Sequence, residues 1–318
     1  MGPDATGWTA RSIDRLRRGI SEPSLLLWEA HERWRQVHQV YWSRREHAGF
    51  DVSSQEWDTL IVLDACRYDA FEAANVLPGT LSPIRSEGSQ TAEWLDASFG
   101  GVFADTVYVS GNPNVAHLDA EFADVVRLWI DDWDEQLSTA RPETVAERAL
   151  DAHHTYPEKR LIVHFVQSHE PYIGETDARF EQFGFTGAGV VADERPHESL
   201  FTSLKRRRVS QAAVRRAYRE NLDLVLAAVG RLVDSVDGRT VITADHGEAF
   251  GEWGIYGHPS GVYIDSLVTV PWFVVEGDRN GNGKEDGRRS ITGSETTVPT
   301  RTEDDTSVED RLADLGYR

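Results

Sequence analysis

Cysteine occurs once in these 318 residues, at Cys66, and methionine occurs once. A single thiol excludes an intramolecular disulfide framework and any zinc site built on clustered cysteines. Lysine is nearly as scarce: Lys159, Lys205 and Lys284 stand alone, and every other cationic side chain is arginine. Long apolar runs are missing too. Near the N-terminus the longest is SLLLW at 24–28, too short and too late for a signal sequence or a membrane span. Charge is strongly acidic, 33 basic against 53 acidic residues for a net of −20, which makes nucleic acid a poor partner. Acid excess with so little lysine suits a protein kept soluble at high salt, where screening removes self-repulsion. The expectation is a soluble, cytoplasmic protein of a salt-loving microbe.

What is present suffices for one large core, with 40% hydrophobic and 10% aromatic residues. Residues 8–48 follow helical periods, and the first fifty residues carry +2 against −22 for the remainder. Trp28, Trp34 and Trp42 lie near helical spacing with arginines between them. Two readings stay open: an arm that docks peripherally on anionic lipid or a partner, and, favoured, a helical appendage packed on an acidic domain. From residue 57 the pattern changes to short apolar runs alternating with helical periods. DTLIVLDA (58–65), TVYVSG (106–111), DVVRLW (124–129), RLIVHFVQ (160–167), GRTVITAD (238–245) and VTVPWFVVEG (268–277) read as strands. Between them YDAFEAAN, TAEWLDASF, 141–154 with Pro142 in its first turn, and 209–236 read as helices. This alternation predicts an α/β fold, a doubly wound and mostly parallel sheet with helices on both faces. The predicted organisation is a helical appendage over 1–55, a main domain over 56–277, a linker over 278–305 and a short helix over 306–318. Thr306 and Glu309 form a candidate capping box for that helix, with Leu312 and Leu315 as its apolar contacts. Inside the linker, Asp278, Asn280, Asn282, Gly283 and Asp286 echo a calcium loop, yet Arg289 stands where the closing carboxylate is needed.

One stretch, TADHGEAFGEWGIYGHPSG at 243–261, holds Asp245, His246, Glu248, Glu252 and His258 among five glycines. In open α/β sheets, ligands gather outside the carboxyl ends of the strands. Asp64 follows TLIVL, His169 follows LIVHFVQS, Asp245 and His246 follow TVITA, and Thr91 opens a helix after the extended piece LSPIRSEGSQ. Residues far apart in the chain therefore meet on one sheet edge, which favours a metal site over a solvated loop. A divalent ion needs anionic oxygens and neutral imidazole nitrogens at about 2.0–2.2 Å, held by rigid backbone. Thr91 at a helix N-terminus, its hydroxyl on such an ion, would lose its proton readily and attack an ester phosphorus or sulfur. His169, His258 and the ion would meet the charge that develops.

VLDACRYDAF, SEGSQTAEWL, VHFVQSHEPYIG and TADHGEAFGEWGIYGHP, in this order, resemble the alkaline phosphatase superfamily. The resemblance covers roughly 57–275 and runs closest to the sulfatase-like hydrolases, with kinship to phosphoethanolamine transferases; the composition suggests a halophilic archaeal member. It implies Asp64, Asp245 and His246 as metal ligands and Thr91 as nucleophile touching the metal. It also implies that His169 and His258 contact the transferred group or a second ion. Arg67 and Asp69 match the pattern beside the first ligand and read, with Glu248, as supports of the ligands. Asn112, in SGNPN, is a candidate substrate contact or a plain turn residue. Neither CRYDA nor SEGSQTAEWL has the C/S-x-P-x-R context in which formylglycine forms, so an unmodified Thr91 is expected, with Ser89 in reserve.

The functional expectation is a metal-dependent hydrolase of sulfate, phosphate or phosphonate esters, working through a covalent intermediate on Thr91. The alternatives are a transferase on the same site and a non-catalytic binding protein. The substrate expected is a small anionic ester, and one ion is expected rather than two. Zinc or manganese suits the ligands; calcium or magnesium suits an oxygen-rich version. His164 reads as a core or supporting histidine, His153, His154 and His197 as surface, and KRRR at 205–208 as a solvated helix start.

Overall fold

The computed structural model describes residues 23–45, 47–176, 199–277 and 305–315. Its centre is a seven-stranded sheet: β1 (Thr59–Leu63), β2 (Thr80–Arg85), β3 (Gly101–Ser110), β4 (Ala120–Arg127), β5 (Arg160–Phe165), β6 (Arg239–Thr243) and β7 (Thr269–Glu276). The spatial order is β2-β7-β6-β1-β5-β3-β4. All pairs are parallel except those of β7, which runs antiparallel to both β6 and β2. The expected doubly wound, mostly parallel sheet is thus present. One strand lies outside the expected set: β2 falls in the stretch read only as extended. It is an edge strand, where the missing N–H of Pro83 costs little; the facing Pro271 of β7 lies outside the register that β7 shares with β6, which begins at Phe273. The expected strand over 124–129 instead ends at Arg127, and Leu128–Asp131 forms a helical turn.

Burial on both faces explains the branched aliphatic runs. Ile61 and Leu63 of β1 point to one side, where they join Val107, Val109, Leu161, Val163 and Phe165 from the neighbouring strands. That layer is covered by helices α2 (Tyr68–Ala74), α4 (Pro142–Thr155) and α6 (Gln211–Val233). Helix α6 supplies Leu222, Val225, Val229 and Leu232, a stripe at helical period. Leu60 and Val62 point the other way, into Tyr108, Ile162 and Val241, covered by Trp94 and Leu95 of α3 (Thr91–Ser98) together with Trp57 and Trp129. Truncating a fully buried side chain such as Leu63 to alanine would cost about 2–5 kcal/mol.

Two helices sit outside this sandwich. Helix α1 (Pro23–Trp42) docks on the 251–263 segment and on α5 (Leu200–Lys205), with Lys205 Nζ 2.8 Å from Glu32. Lys205 is therefore tied to the N-terminal helix rather than solvated. Helix α7 (Asp305–Asp314) buries Val308 and Leu312, with Leu315 just beyond its end, and pairs Arg311 with Glu135. Residues 8–22 of the N-terminal arm, the calcium-like loop, His197 and the Thr306 side chain lie outside the described residues.

Candidate functional site

Register alone brings two carboxylates together. Strands β1 and β6 pair with Val62 opposite Thr243, so the chain leaves the sheet with Asp64 beside Asp245, at the spacing of neighbouring strands, about 4.8 Å. The turn after β1 is tight, with Ala65 at φ +56, in the left-handed region that L side chains rarely adopt. It is locked from two directions. The Ala65 amide donates to Asp245 Oδ1 at 3.1 Å, and Tyr218 of α6 donates its hydroxyl to the Ala65 carbonyl at 2.8 Å. After β2, Ser86 donates its hydroxyl to the Asp245 carbonyl, and five residues later α3 begins at Thr91 on the same sheet edge.

Thr91 Oγ1 lies 2.7 Å from Asp245 Oδ2 and 3.3 Å from His246 Nε2. His246 Nδ1 is 2.8 Å from the Gly247 carbonyl, so it carries the proton and leaves the Nε2 lone pair facing inward. That nitrogen lies 3.5 Å from Asp64 Oδ1 and 3.5 Å from Asp245 Oδ2. All four side chains are fully buried. Burial, and then His258, holds the His246 imidazole well below its ordinary pKa and therefore neutral. Two carboxylates and an imidazole lone pair thus converge as acceptors without solvent exposure. Such a set is costly unless a cation sits among the acceptors. Carboxylate oxygens, a neutral imidazole and a hydroxyl are the ligands that zinc or manganese takes, so the residues fit the metal expected from the sequence.

A second trio stands beside the first. The Ala249–Phe250 and Tyr256–Gly257 strands form a small hairpin with Gly257 opposite Ala249, so the next residues out, Glu248 and His258, face each other. Gly251, Gly254 and Gly257 have φ of +121, +72 and +72, and the sharp reversal depends on them. His258 Nδ1 sits 3.2 Å from Glu248 Oε2, and its Nε2 is 3.4 Å from His169 Nε2. His169 Nδ1 contacts the Glu170 carbonyl. Burial lowers the His169 and His258 pKa values to about 4 and raises that of Glu248 to about 8. In each trio, one ligand atom per residue lies within 4.8 Å of the others. Glu248, expected as a support of the ligands, sits on His258 and forms with His169 and His258 a second group that could hold an ion. The hairpin register is the signal that would have found it.

Other expected residues fall into place around these trios. Arg67 grips Asp69 through Nε at 2.8 Å and Nη2 at 2.7 Å, and through Nη1 reaches Glu252 at 2.6 Å and the Glu248 carbonyl at 2.9 Å. Arg215 of α6 shares Glu252 at 2.6 Å. Arg67 therefore ties the β1 turn to the hairpin and touches neither trio's ligand atoms. Asn112 donates to Asp64 Oδ2 at 2.6 Å and accepts from the Asn114 amide at 2.9 Å. Its side chain steadies the Asp64 carboxylate. Ser89 Oγ is engaged by Glu93 and the Pro259 carbonyl, at 2.8 and 3.1 Å, which weakens it as a reserve nucleophile. Cys66 is buried, and burial pushes its thiol pKa far up. His164, fully buried, places Nδ1 3.0 Å from Tyr108 Oη and Nε2 3.9 Å from Asp245. At the end of α4, His153 is half-buried and His154 exposed.

Sequence reasoning missed the residues that hold the loops, chiefly Tyr218 and Asn221. Asn221 Nδ2 bonds the carbonyls of His169 and Pro171 at 2.9 and 3.0 Å. A buried asparagine on the apolar stripe of α6 was its visible trace.

No protein-family model matches the chain, and no curated relative matches it. Solved structures do. The soluble domain of lipooligosaccharide phosphoethanolamine transferase A from Neisseria meningitidis is similar at 13% identity and TM-score 0.46, over 68% of this chain and 75% of that one. The C-terminal periplasmic domain of EcEptC from Escherichia coli, solved in complex with Zn, is similar at 13% and 0.45, over 72% and 76%. A 2-O GAG sulfatase is similar at 11% and 0.42, over 69% and 63%. The likeness is one of architecture. Among the described residues no helix is long and apolar enough to cross a membrane.

Proposed function

We propose that the protein is a metal-dependent hydrolase of sulfate, phosphate or phosphonate esters with Thr91 as nucleophile. The observation that carries this reading is the 2.7 Å contact between the Thr91 hydroxyl and Asp245 Oδ2, with His246 Nε2 and Asp64 on the same point. A cation held by Asp64, Asp245, His246 and Thr91 would supply Lewis acidity and charge stabilisation. The chain supplies the rest. Asp245 takes the hydroxyl proton as Oγ1 bonds to the phosphorus or sulfur, and the ester oxygen leaves with its bonding electrons. A water then attacks the Thr91 ester, the bond to Oγ1 breaks, and Thr91 recovers its proton from Asp245. The anionic group reaches the pocket past His258, whose side chain is 12% exposed where the ligands behind it are buried.

The facing nitrogens of His169 and His258 add a second element. Two imidazole acceptors 3.4 Å apart beside a carboxylate favour a second cation over direct contact with the transferred group alone. The test is side-by-side assay of aryl sulfate, phosphate and phosphonate esters, with elemental analysis of the protein. Hydrolysis of at least one ester, lost on exhaustive chelation and restored by zinc or manganese, is the expected result. Full turnover in metal-free protein, or turnover only with an added acceptor alcohol or amine, would overturn the reading.

A further inference from the structure

Helix α1 leaves part of its apolar surface uncovered. Toward the domain it turns a mixture of polar and aromatic side chains: Glu32 pairs with Lys205, Gln39 Nε2 reaches the Ser260 carbonyl at 2.8 Å, His31 packs edge-on to Tyr256, Trp34 donates its indole N–H to the Trp253 carbonyl, and Trp42 packs edge-on to Tyr263. Leu27, Trp34, Val37, Val40 and Tyr41 are exposed along one stripe, and Trp253, 73% exposed, extends that stripe from the hairpin. These are six of the nine exposed large apolar side chains among the described residues, so the exposure is concentrated and not scattered. Trp34, Val37, Tyr41, Trp42, Trp253 and Tyr263 border one groove of about 420 Å³. A contiguous apolar patch of this kind marks a docking surface.

Charge and residue type identify what covers it. Residues 23–45 hold four arginines against two glutamates in a chain of net −20, and Glu32 is turned inward onto Lys205. Arg45 lies 4.3 Å over the Tyr41 ring, at the rim of the stripe, and Arg33, 73% exposed, pairs with Glu29 at 2.8 Å. A face of this kind lets an acidic protein approach an anionic surface. Tryptophan and tyrosine flanked by arginine, on a helix lying flat, is the composition that settles at the headgroup level of a bilayer. We infer that α1 and Trp253 form a peripheral docking face for an anionic lipid membrane, with the apolar stripe inserted and the arginines at the headgroups. The face lies on the hairpin that carries His258, so docking would set that side of the catalytic pocket against the membrane surface.

The test uses the full chain and vesicles, and it does not depend on catalysis. Sedimentation with phosphatidylglycerol vesicles should pellet the protein. Phosphatidylcholine vesicles should pellet several-fold less, and added salt should release it. The double variant Val37→Glu/Val40→Glu should lower the partition by more than about tenfold, with an unchanged thermal midpoint showing that α1 remains docked. Arg44→Glu/Arg45→Glu serves as a second variant that leaves the stripe intact and should also weaken binding. No pelleting of the wild type, equal pelleting on both lipids, or undiminished pelleting of the folded variants would overturn the inference. A concentration-dependent dimer dissolved by Val37→Glu/Val40→Glu would also overturn it, in favour of a second copy.

Discussion

Replacing Thr91 by valine is the sharpest test of the catalytic reading, because valine keeps the shape and removes only the hydroxyl. Thr91 is fully buried, so the methyl groups of valine fill the same space and no cavity opens. What is lost is a 2.7 Å hydrogen bond to Asp245 Oδ2. Leaving a buried carboxylate oxygen short of a donor costs about 1–3 kcal/mol. Asp245 Oδ1 keeps its two amide donors, from Ala65 and His246, so the lower end of that range is expected. The variant should remain folded, its melting point down by a few degrees. Turnover should fall by at least about a thousandfold, about 4 kcal/mol in barrier, since the covalent route is gone. Thr91→Ser keeps the nucleophilic oxygen, loses one buried methyl at a cost of about 1 kcal/mol, and should retain most of the lost activity. Ser89→Ala is the control, its hydroxyl being committed to Glu93 and Pro259, and should hydrolyse within a few-fold of wild type. The assay is release of an aryl alcohol in metal-replete buffer, with melting curves and intact mass after acid quench, where the wild type and Thr91→Ser carry the transferred group. Thr91→Val working within about tenfold of wild type, or Ser89→Ala falling as far, would refute the assignment.

Other expectations concern metal and support. Metal at a hundred times its dissociation constant should stabilise the fold by about 2.7 kcal/mol, seen as a higher melting point that chelation reverses. Elemental analysis should give two ions per chain, and His258→Ala should lose one while retaining the ion at Asp64, Asp245 and His246; an unchanged content would restrict the second trio to substrate contacts. Arg67→Lys trades a fork engaging Asp69, Glu252 and the Glu248 carbonyl for one ammonium, and kcat should drop about 10–100-fold with little change in fold. A Cβ at Gly247 would overlap the Ser266 carbonyl oxygen, a backbone atom that cannot swing away. Gly247→Ala should therefore destabilise by about 1–3 kcal/mol in denaturant titration.

How much of this was legible beforehand depends on whether a feature is local. Branched aliphatic runs alternating with helical periods determined the α/β architecture, because a strand buried on both faces must read as continuously apolar. The five fully buried residues of β1 show it. Placement of Asp64, Thr91, His169 and Asp245 at strand or helix ends also followed from the chain itself. Tertiary structure decided what the pattern left open. Pairing β1 with β6 set Asp64 against Asp245, and the hairpin's register turned Glu248 onto His258 and completed a second trio. Packing committed Asn112 to Asp64 and Ser89 to Glu93, and it left an apolar stripe of α1 exposed. Periodicity records how a segment divides its residues between two faces, but not which face meets the protein. That choice belongs to contacts between distant segments.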